Sequence, residues 1–430
     1  MRRPAIGVMR KTKNIVNQIF THMQINEVTT RRDINEFIDF PKILYKNDSF
    51  WVCPLDTEIN GFFSPAKNHA FRHGVATRWI LKDDSGKTIG RVAAFIDNER
   101  SAKQIQPTGG IGFFEVIENK DAAFLLFDTA KAWLKERGME AMDGPISFGE
   151  NDSFWGLLID GFMQQGYYMP YNTRYYRDFF EAYGFRNYFE QYSYHREVRN
   201  EDGEFTRFPD RMWKVAEWVA KKPGYSFRHF EFKNARKYIK DVCQIYNSTW
   251  VHHKEDFTPI DPDILEESLN KARLVIDEET IIFMYQNDKP VSFWVLLPDL
   301  NQILKHLHGK LDPISLVKFL YYKKTHKMTR LRAVVGGVMH SHHNQGIEAA
   351  MFYQIYQVLQ NKPWVNEIEL SWVGDYNNRM MSSSEALGGI KMKTHVTYRY
   401  LINDKRSFMR YKDEMAERQK IKEEKTAGRE

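Results

Sequence analysis

The 430-residue chain has only two cysteines, Cys53 and Cys243, far apart in sequence. That excludes a disulfide framework, and no Cys–His spacing of a zinc site accompanies them, so both read as ordinary buried thiols of a reducing compartment. No apolar run approaches the roughly 20 residues that a membrane-spanning helix needs. The opening MRRPAIGVMRKTKN is basic but lacks the apolar core of a signal peptide. A cytoplasmic protein is the expectation, with peripheral contact at the inner membrane as an option. Arginine-rich arms are also missing. The 62 Lys and Arg against 56 Asp and Glu leave a formal charge of only +6, spread along the chain. Nucleic acid is therefore disfavoured, while anionic cofactors, an acidic acyl carrier protein and membrane surfaces stay open as partners.

What is present is a core-forming composition, 42% hydrophobic and 14% aromatic, in a chain long enough for two domains. The pattern divides it into a basic tail over 1–24, a domain over 25–200, a linker and connecting helix over 201–224, a domain over 225–402 and a charge-mixed, solvated tail over 403–430. INEVTTRRDINEFIDFPKILY reads as a strand and then a helix, capped by Thr30 or Asp33 and stopped near Pro41. ATRWILKDDSGKTIGRVAAFID reads as a hairpin turning at 83–86, IGFFEVIEN as a strand, and DAAFLLFDTAKAWLKERG as a helix capped by Asp121 and ended by Gly138. The second half repeats the order, with a helix started at Asp261-Pro262 and a hairpin turning at Asn287-Asp288. An internal duplication follows.

In that second half Leu331–Val338 is a short apolar run suited to a buried strand. Ile347, Ala350, Met351, Ile355 and Val358 then recur at helical spacing, with Gly346 at the join. Ile368, Leu370 and Trp372 fall on one side of a following strand. A strand feeding a helix through a glycine turn aims unpartnered amide groups at one spot, where the helix dipole is positive, and that makes an anion site.

These blocks resemble the GNAT acetyltransferase superfamily. TTRRDINEFIDFPKILYKNDSFWVCPL, GRVAAFID, MDGP with GLLIDGF, MPYN with YY, PDLNQILKHLHGKL and the GI turn together resemble a two-domain GNAT-like bacterial family of acyl-CoA N-acyltransferases, over about Ile25 to Ile402. The resemblance implies an α+β fold of tandem GNAT-like domains, each a twisted mixed sheet flanked by helices. It implies transfer of an acyl group from acyl-CoA or an acyl-carrier-protein thioester to a small-molecule or lipid-like amine, without a metal. Donor phosphates would lie at Val338, His343, Asn344, Gln345, Gly346 and Ile347. The family turn Arg/Gln-x-x-Gly-x-Gly/Ala keeps only Gly346, with His343 and Glu348 in place of its first and last residues. The tyrosine that serves the departing thiol is replaced by Phe180 in the first half and Ser384 in the second. Those departures keep a second class open, a non-catalytic module holding an acyl or nucleotide ligand. Aminoacyl transfer from tRNA is a third, disfavoured by the modest charge.

Other candidates carry two readings each. Glu150 or Asp152 reads as a general base with Asn151 bonding substrate, or the three read as the cap of a following helix. Asn172, Tyr175 and Tyr176 line a substrate pocket or pack a capped aromatic helix on the sheet. Asn301 and Gln302, and Asn247 with Trp250, either meet substrate or fix backbone. His340, His342 and His343 match no common metal spacing. ISLVKFLYYKKTHKMTRLR joins an apolar stripe to Lys318, Lys323, Lys324, Lys327 and Arg330, and reads as a docking surface or as a packed helix with a wet edge.

Overall fold

The computed structural model describes residues 23–149, 153–206, 209–250 and 259–427. The first half runs β1 (Gln24–Glu27), α1 (Arg31–Leu44), α2 (Asp56–Phe62), β2 (Gly74–Lys82), β3 (Thr88–Asp97), α3 (Asn98–Ala102), β4 (Thr108–Val116), α4 (Lys120–Glu136), β5 (Ala141–Gly144), β6 (Leu157–Asp160), α5 (Tyr176–Tyr183) and β7 (Arg186–Glu197). After the connecting α6 (Asp210–Ala220) come β8 (Tyr225–His229), α7 (Ala235–Trp250), α8 (Pro262–Lys271), β9 (Ile281–Gln286), β10 (Lys289–Pro298), α9 (Asn301–Leu304), α10 (Pro313–Thr325), β11 (Arg330–Val338), α11 (Ile347–Gln360), β12 (Glu367–Gly374), α12 (Asn378–Ala386), β13 (Ile390–Leu401) and α13 (Tyr411–Ala427).

All strands join one sheet in the order β1-β2-β3-β4-β5-β13-β7-β12-β11-β10-β9-β8, with β6 against β13. Each half has an antiparallel meander that ends on a parallel pair, β4 with β5 and β11 with β12. The halves then exchange their last strands. β13, from the second half, lies between β5 and β7, and β7, from the first, lies between β13 and β12. A buried ion pair pins the exchange: Arg399 on β13 donates to Asp143 on β5 at 2.6 and 2.9 Å and to Glu414 on α13 at 2.6 Å. The charged tail is thus not wholly solvated. Glu414 is 2% exposed and also accepts from the Tyr188 hydroxyl, which docks α13 on β7.

Local chemistry explains where elements begin and end. Thr30 caps α1 and Asp33 closes a capping box with it. The helix does not stop near Pro41 but runs on to Leu44. Proline deprives the Phe37 carbonyl of its helical donor, and the Arg91 guanidinium supplies one at 2.7 Å. The cap of α4 is Asn119, whose side chain accepts from the Ala122 amide, rather than Asp121 in the first turn. Asn287 and Asp288 both take left-handed backbone in the β9–β10 turn, as a two-residue hairpin requires.

Candidate active site

In the first half, β4 and β5 pair only from Thr108↔Ala141 to Gly110↔Asp143 and then part. Beyond that point Phe113 and Phe114 of β4 oppose Val92 alone, a bulge with Phe113 at φ 50°. Phe154 and Tyr168, also left-handed at φ 50° and 64°, are joined by a 2.8 Å backbone bond beside it. Three bulky residues in that region concentrate backbone strain at one place, a common companion of a functional site. There the opening holds a small cavity of about 90 Å³, lined among others by Trp51, Arg91, Glu115, Met169, Asn172 and Tyr176.

Glu115 is the buried carboxylate on the wall of this cavity. Its Oε2 accepts from the Tyr45 hydroxyl at 2.6 Å and the Tyr176 hydroxyl at 2.8 Å, and Arg91 stands 3.8 Å from Oε1. Burial raises the Glu115 pKa, against the pull of Arg91. Burial, then the neighbouring carboxylate, pushes both tyrosines well up, so they remain donors. The cluster is therefore a desolvated carboxylate held by two phenols, a suitable proton acceptor. Glu115 was not among the sequence candidates. Its signal was there, the one acid within the apolar strand TGGIGFFEV.

The sequence candidates scatter. Asn172 and Tyr176 do reach the cavity wall. Asn172 also clamps β6, accepting from the Leu158 amide at 2.7 Å and donating to the Leu158 carbonyl at 3.0 Å. The Tyr175 hydroxyl donates to the Val116 carbonyl. Asn301 donates to the Gln165 carbonyl and Gln302 bonds Thr329 twice, so both fix backbone. Asn247 accepts from the Ile260 amide on the far side of the second half. Trp250 ends α7; its side chain, like Glu150, Asn151 and Asp152, lies outside the described residues.

The second-half turn has its own geometry. β11 and β12 pair from Arg330↔Glu367 to Ala333↔Leu370, then diverge, and β11 bulges at Val334. Gly346 sits at φ 77° as the α11 N-cap, with no side-chain cap on the helix start. On one side α6 packs against it: a side chain at Gly346 would stand 2.5 Å from Val215 and 3.2 Å from Val219. On the other side Asn344 and Gln345 are exposed. Glu348 does not point a free charge into the turn. Arg379, from α12, bonds its Oε1 at 3.0 Å and the His343 Nδ1 at 2.7 Å. His343 Nε2 lies 2.9 Å from the Val338 carbonyl, and burial, with Arg379 adding, lowers its pKa. The turn is closed on the α6 side and open at Asn344 and Gln345. Arg379 brings to the turn a cation paired with Glu348, from a residue too distant in sequence for the motif to reveal.

One loop, residues 161–172, links the two places. Its Met169 and Asn172 line the cavity, while the Tyr167 carbonyl accepts from Arg332 on β11. Arg332 in turn meets Glu369 at 3.1 Å, and Lys393 on β13 meets the same carboxylate at 2.6 Å. Burial opposes ionisation of Glu369, yet Lys393 and Arg332 hold it well below the usual carboxylate range.

No protein-family model matches the chain. It is 25% identical over 388 residues to Protein YghO of Escherichia coli (strain K12), covering 89% of this chain and 97% of that one. It is 25% identical over 385 residues to the bacterial ceramide synthase of Caulobacter vibrioides (strain NA1000 / CB15N), covering 87% and 97%. Among solved structures it is similar to a tandem GNAT protein from the clavulanic acid biosynthesis pathway, with a TM-score of 0.52 and 10% identity over 89% of this chain and 99% of that one. A GCN5-related glucosamine N-acetyltransferase region of a fungal multi-domain GH3 β-N-acetylglucosaminidase gives 0.52 and 13%, over 88% and 38%. The fold is α+β, a tandem GNAT-like architecture. The chain matches both bacterial relatives over nearly their whole length.

Proposed function

We propose that the chain is an N-acyltransferase that moves an acyl group from a thioester, acyl-CoA or acyl-carrier protein, to the amine of a small or lipid-like acceptor. The observation that supports this most is Glu115, a desolvated carboxylate at a β4 bulge with a cavity before it. A neutral amine in the cavity attacks the thioester carbonyl; the C–N bond forms, the C–S bond breaks and the thiolate leaves. Glu115 takes the amine proton and returns it to solvent or to the departing sulfur. Arg91 steadies the carboxylate between these states, and Tyr45 and Tyr176 orient it. Asn151 and Asp152, with Glu150, precede the cavity-wall residue Phe154 in sequence and are proposed to orient the amine. Donor phosphates are assigned to the turn from His343 to Ile347, with Arg379 as counter-charge. The donor supplies the activated acyl carbonyl. A relative named bacterial ceramide synthase supports a lipid-like acceptor.

The second reading, a module that holds an acyl or nucleotide ligand without turnover, is favoured by the α6 valines against Gly346. Thiol release from acyl-CoA and acyl-carrier donors, assayed against a panel of long-chain and short-chain amines, separates the two. Release that requires an amine supports transfer. Retained ligand in native mass spectrometry without release from any donor overturns it.

A further inference from the structure

The most apolar exposed surface lies on α10 and the residue pair before it. Fifteen large hydrophobic side chains are exposed among the described residues, and six of them fall between Leu311 and Tyr321. Ile314 is 71% exposed, Val317 68% and Tyr321 60%, with Leu311, Leu316 and Leu320 near half. Ser315 and Phe319 face inward, onto Ile303, Leu304 and Leu307. The helix is therefore apolar on both sides, which a helix facing water is not. Lysines frame the outer stripe. Lys305, Lys310, Lys318, Lys323, Lys324 and Lys327 are all exposed, and the one acid among them, Asp312, is engaged in capping Ser315.

Beneath α10 lies the cavity wall. Val52 and Leu55 pack into the α10 cluster, while Trp51, Cys53, Pro54 and Asp56, alternating with them, line the cavity. The Asp56 amide donates to the Gly309 carbonyl at 2.8 Å, tying that wall to the segment leading into α10. One short stretch of chain thus separates the exposed apolar stripe from the candidate site.

We propose that α10 docks the protein on an anionic phospholipid bilayer. Ile314, Val317, Leu320 and Tyr321 enter the acyl boundary, and the flanking lysines meet headgroup phosphates. A second copy of this chain fits the face poorly, because it would set lysine against lysine. An acidic carrier protein would neutralise the lysines but leave the apolar stripe wet. On the bilayer, the cavity wall sits at the interface, where a lipid-like amine enters without crossing water. This last step rests on the acyl-transfer reading; the docking does not.

Co-sedimentation with phosphatidylcholine vesicles, with and without phosphatidylglycerol, tests it. The full chain is expected to bind phosphatidylglycerol vesicles at least tenfold better than pure phosphatidylcholine, and less as salt rises. Two variants, Ile314→Ser with Val317→Ser and Tyr321→Ser, and Lys318→Glu with Lys324→Glu, should each lose at least tenfold. All five side chains are exposed, so unchanged thermal unfolding is the control for folding. No binding by the unmodified chain overturns the proposal, and so does undiminished binding by the apolar variant, which would leave a purely ionic surface suited to an acidic protein. Transfer between a soluble short-chain thioester and a soluble amine, measured alongside, should be unchanged in both variants. Vesicle binding with no soluble transfer would fell the acyl-transfer reading alone; transfer with no vesicle binding would fell the docking alone.

Discussion

The two halves open their sheets at the same point and furnish the openings differently. In the first half the β4 bulge leads to Glu115 and a cavity, but the following helix is capped by its own Asn119. In the second half the β11 bulge leads to Gly336 and Gly337, with no acid, but α11 starts uncapped at a left-handed glycine beside Arg379. On the proposed function, one half carries the base without an anion turn and the other the anion turn without a base. The 161–172 loop and the exchanged strands join the two parts.

The largest expected effect breaks the comparison on the acid side. Glu115→Gln keeps acceptors for Tyr45 and Tyr176 but cannot take a proton, so acyl transfer should fall about 10²–10⁴-fold with folding retained. Unchanged turnover in a thiol-release assay would remove the first half from the chemistry. Next, Asp143→Ala strands Arg399, which is 2% exposed, at the seam. Breaking a buried pair costs about 3–5 kcal/mol, and urea unfolding should show that loss in one transition spanning both halves. Two separate transitions would mean the halves are independent.

A pH effect of similar kind comes from His395 on β13. Burial, with Lys393 adding, pushes its pKa down to about 4 from 6.5. The folded state therefore binds fewer protons than the unfolded state between those values. Its stability is whole above about pH 6.5 and declines as pH falls toward 4, by about 3 kcal/mol in all. His395→Gln should flatten that part of the stability–pH curve, and an unaltered curve would assign the acid sensitivity elsewhere. Smallest, and confined to the second half, Arg379→Ala should raise the donor KM roughly tenfold with little change in kcat. A loss in kcat instead would put Arg379 near the reacting atoms and blur the division between the halves.

Much of the fold could be read from the residues. The β11 run, Gly346 and the α11 periodicity are local signals, and they stand in the structure as Arg330–Val338, a left-handed glycine and Ile347–Gln360. Helix ends were harder where tertiary chemistry overrides a local rule, as when Arg91 satisfies the carbonyl that Pro41 orphans. The site was less legible still. Asn172, Asn301 and Gln302 carried a structural reading beside a substrate one, and backbone groups do take up their amides. Glu115 looked like one acid in a strand because its partners Tyr45, Arg91 and Tyr176 come from three other elements.

The exchanged strands bear on how the chain is made. During synthesis β5 emerges long before β13, its neighbour in the finished sheet. Until then the nascent first half presents an unpaired edge, with Asp143 awaiting its arginine, and such edges invite mispairing. The ribosome must deliver β13 before that seam can close, so the protein's yield in the cell should depend on chaperones that shelter that edge in the interval.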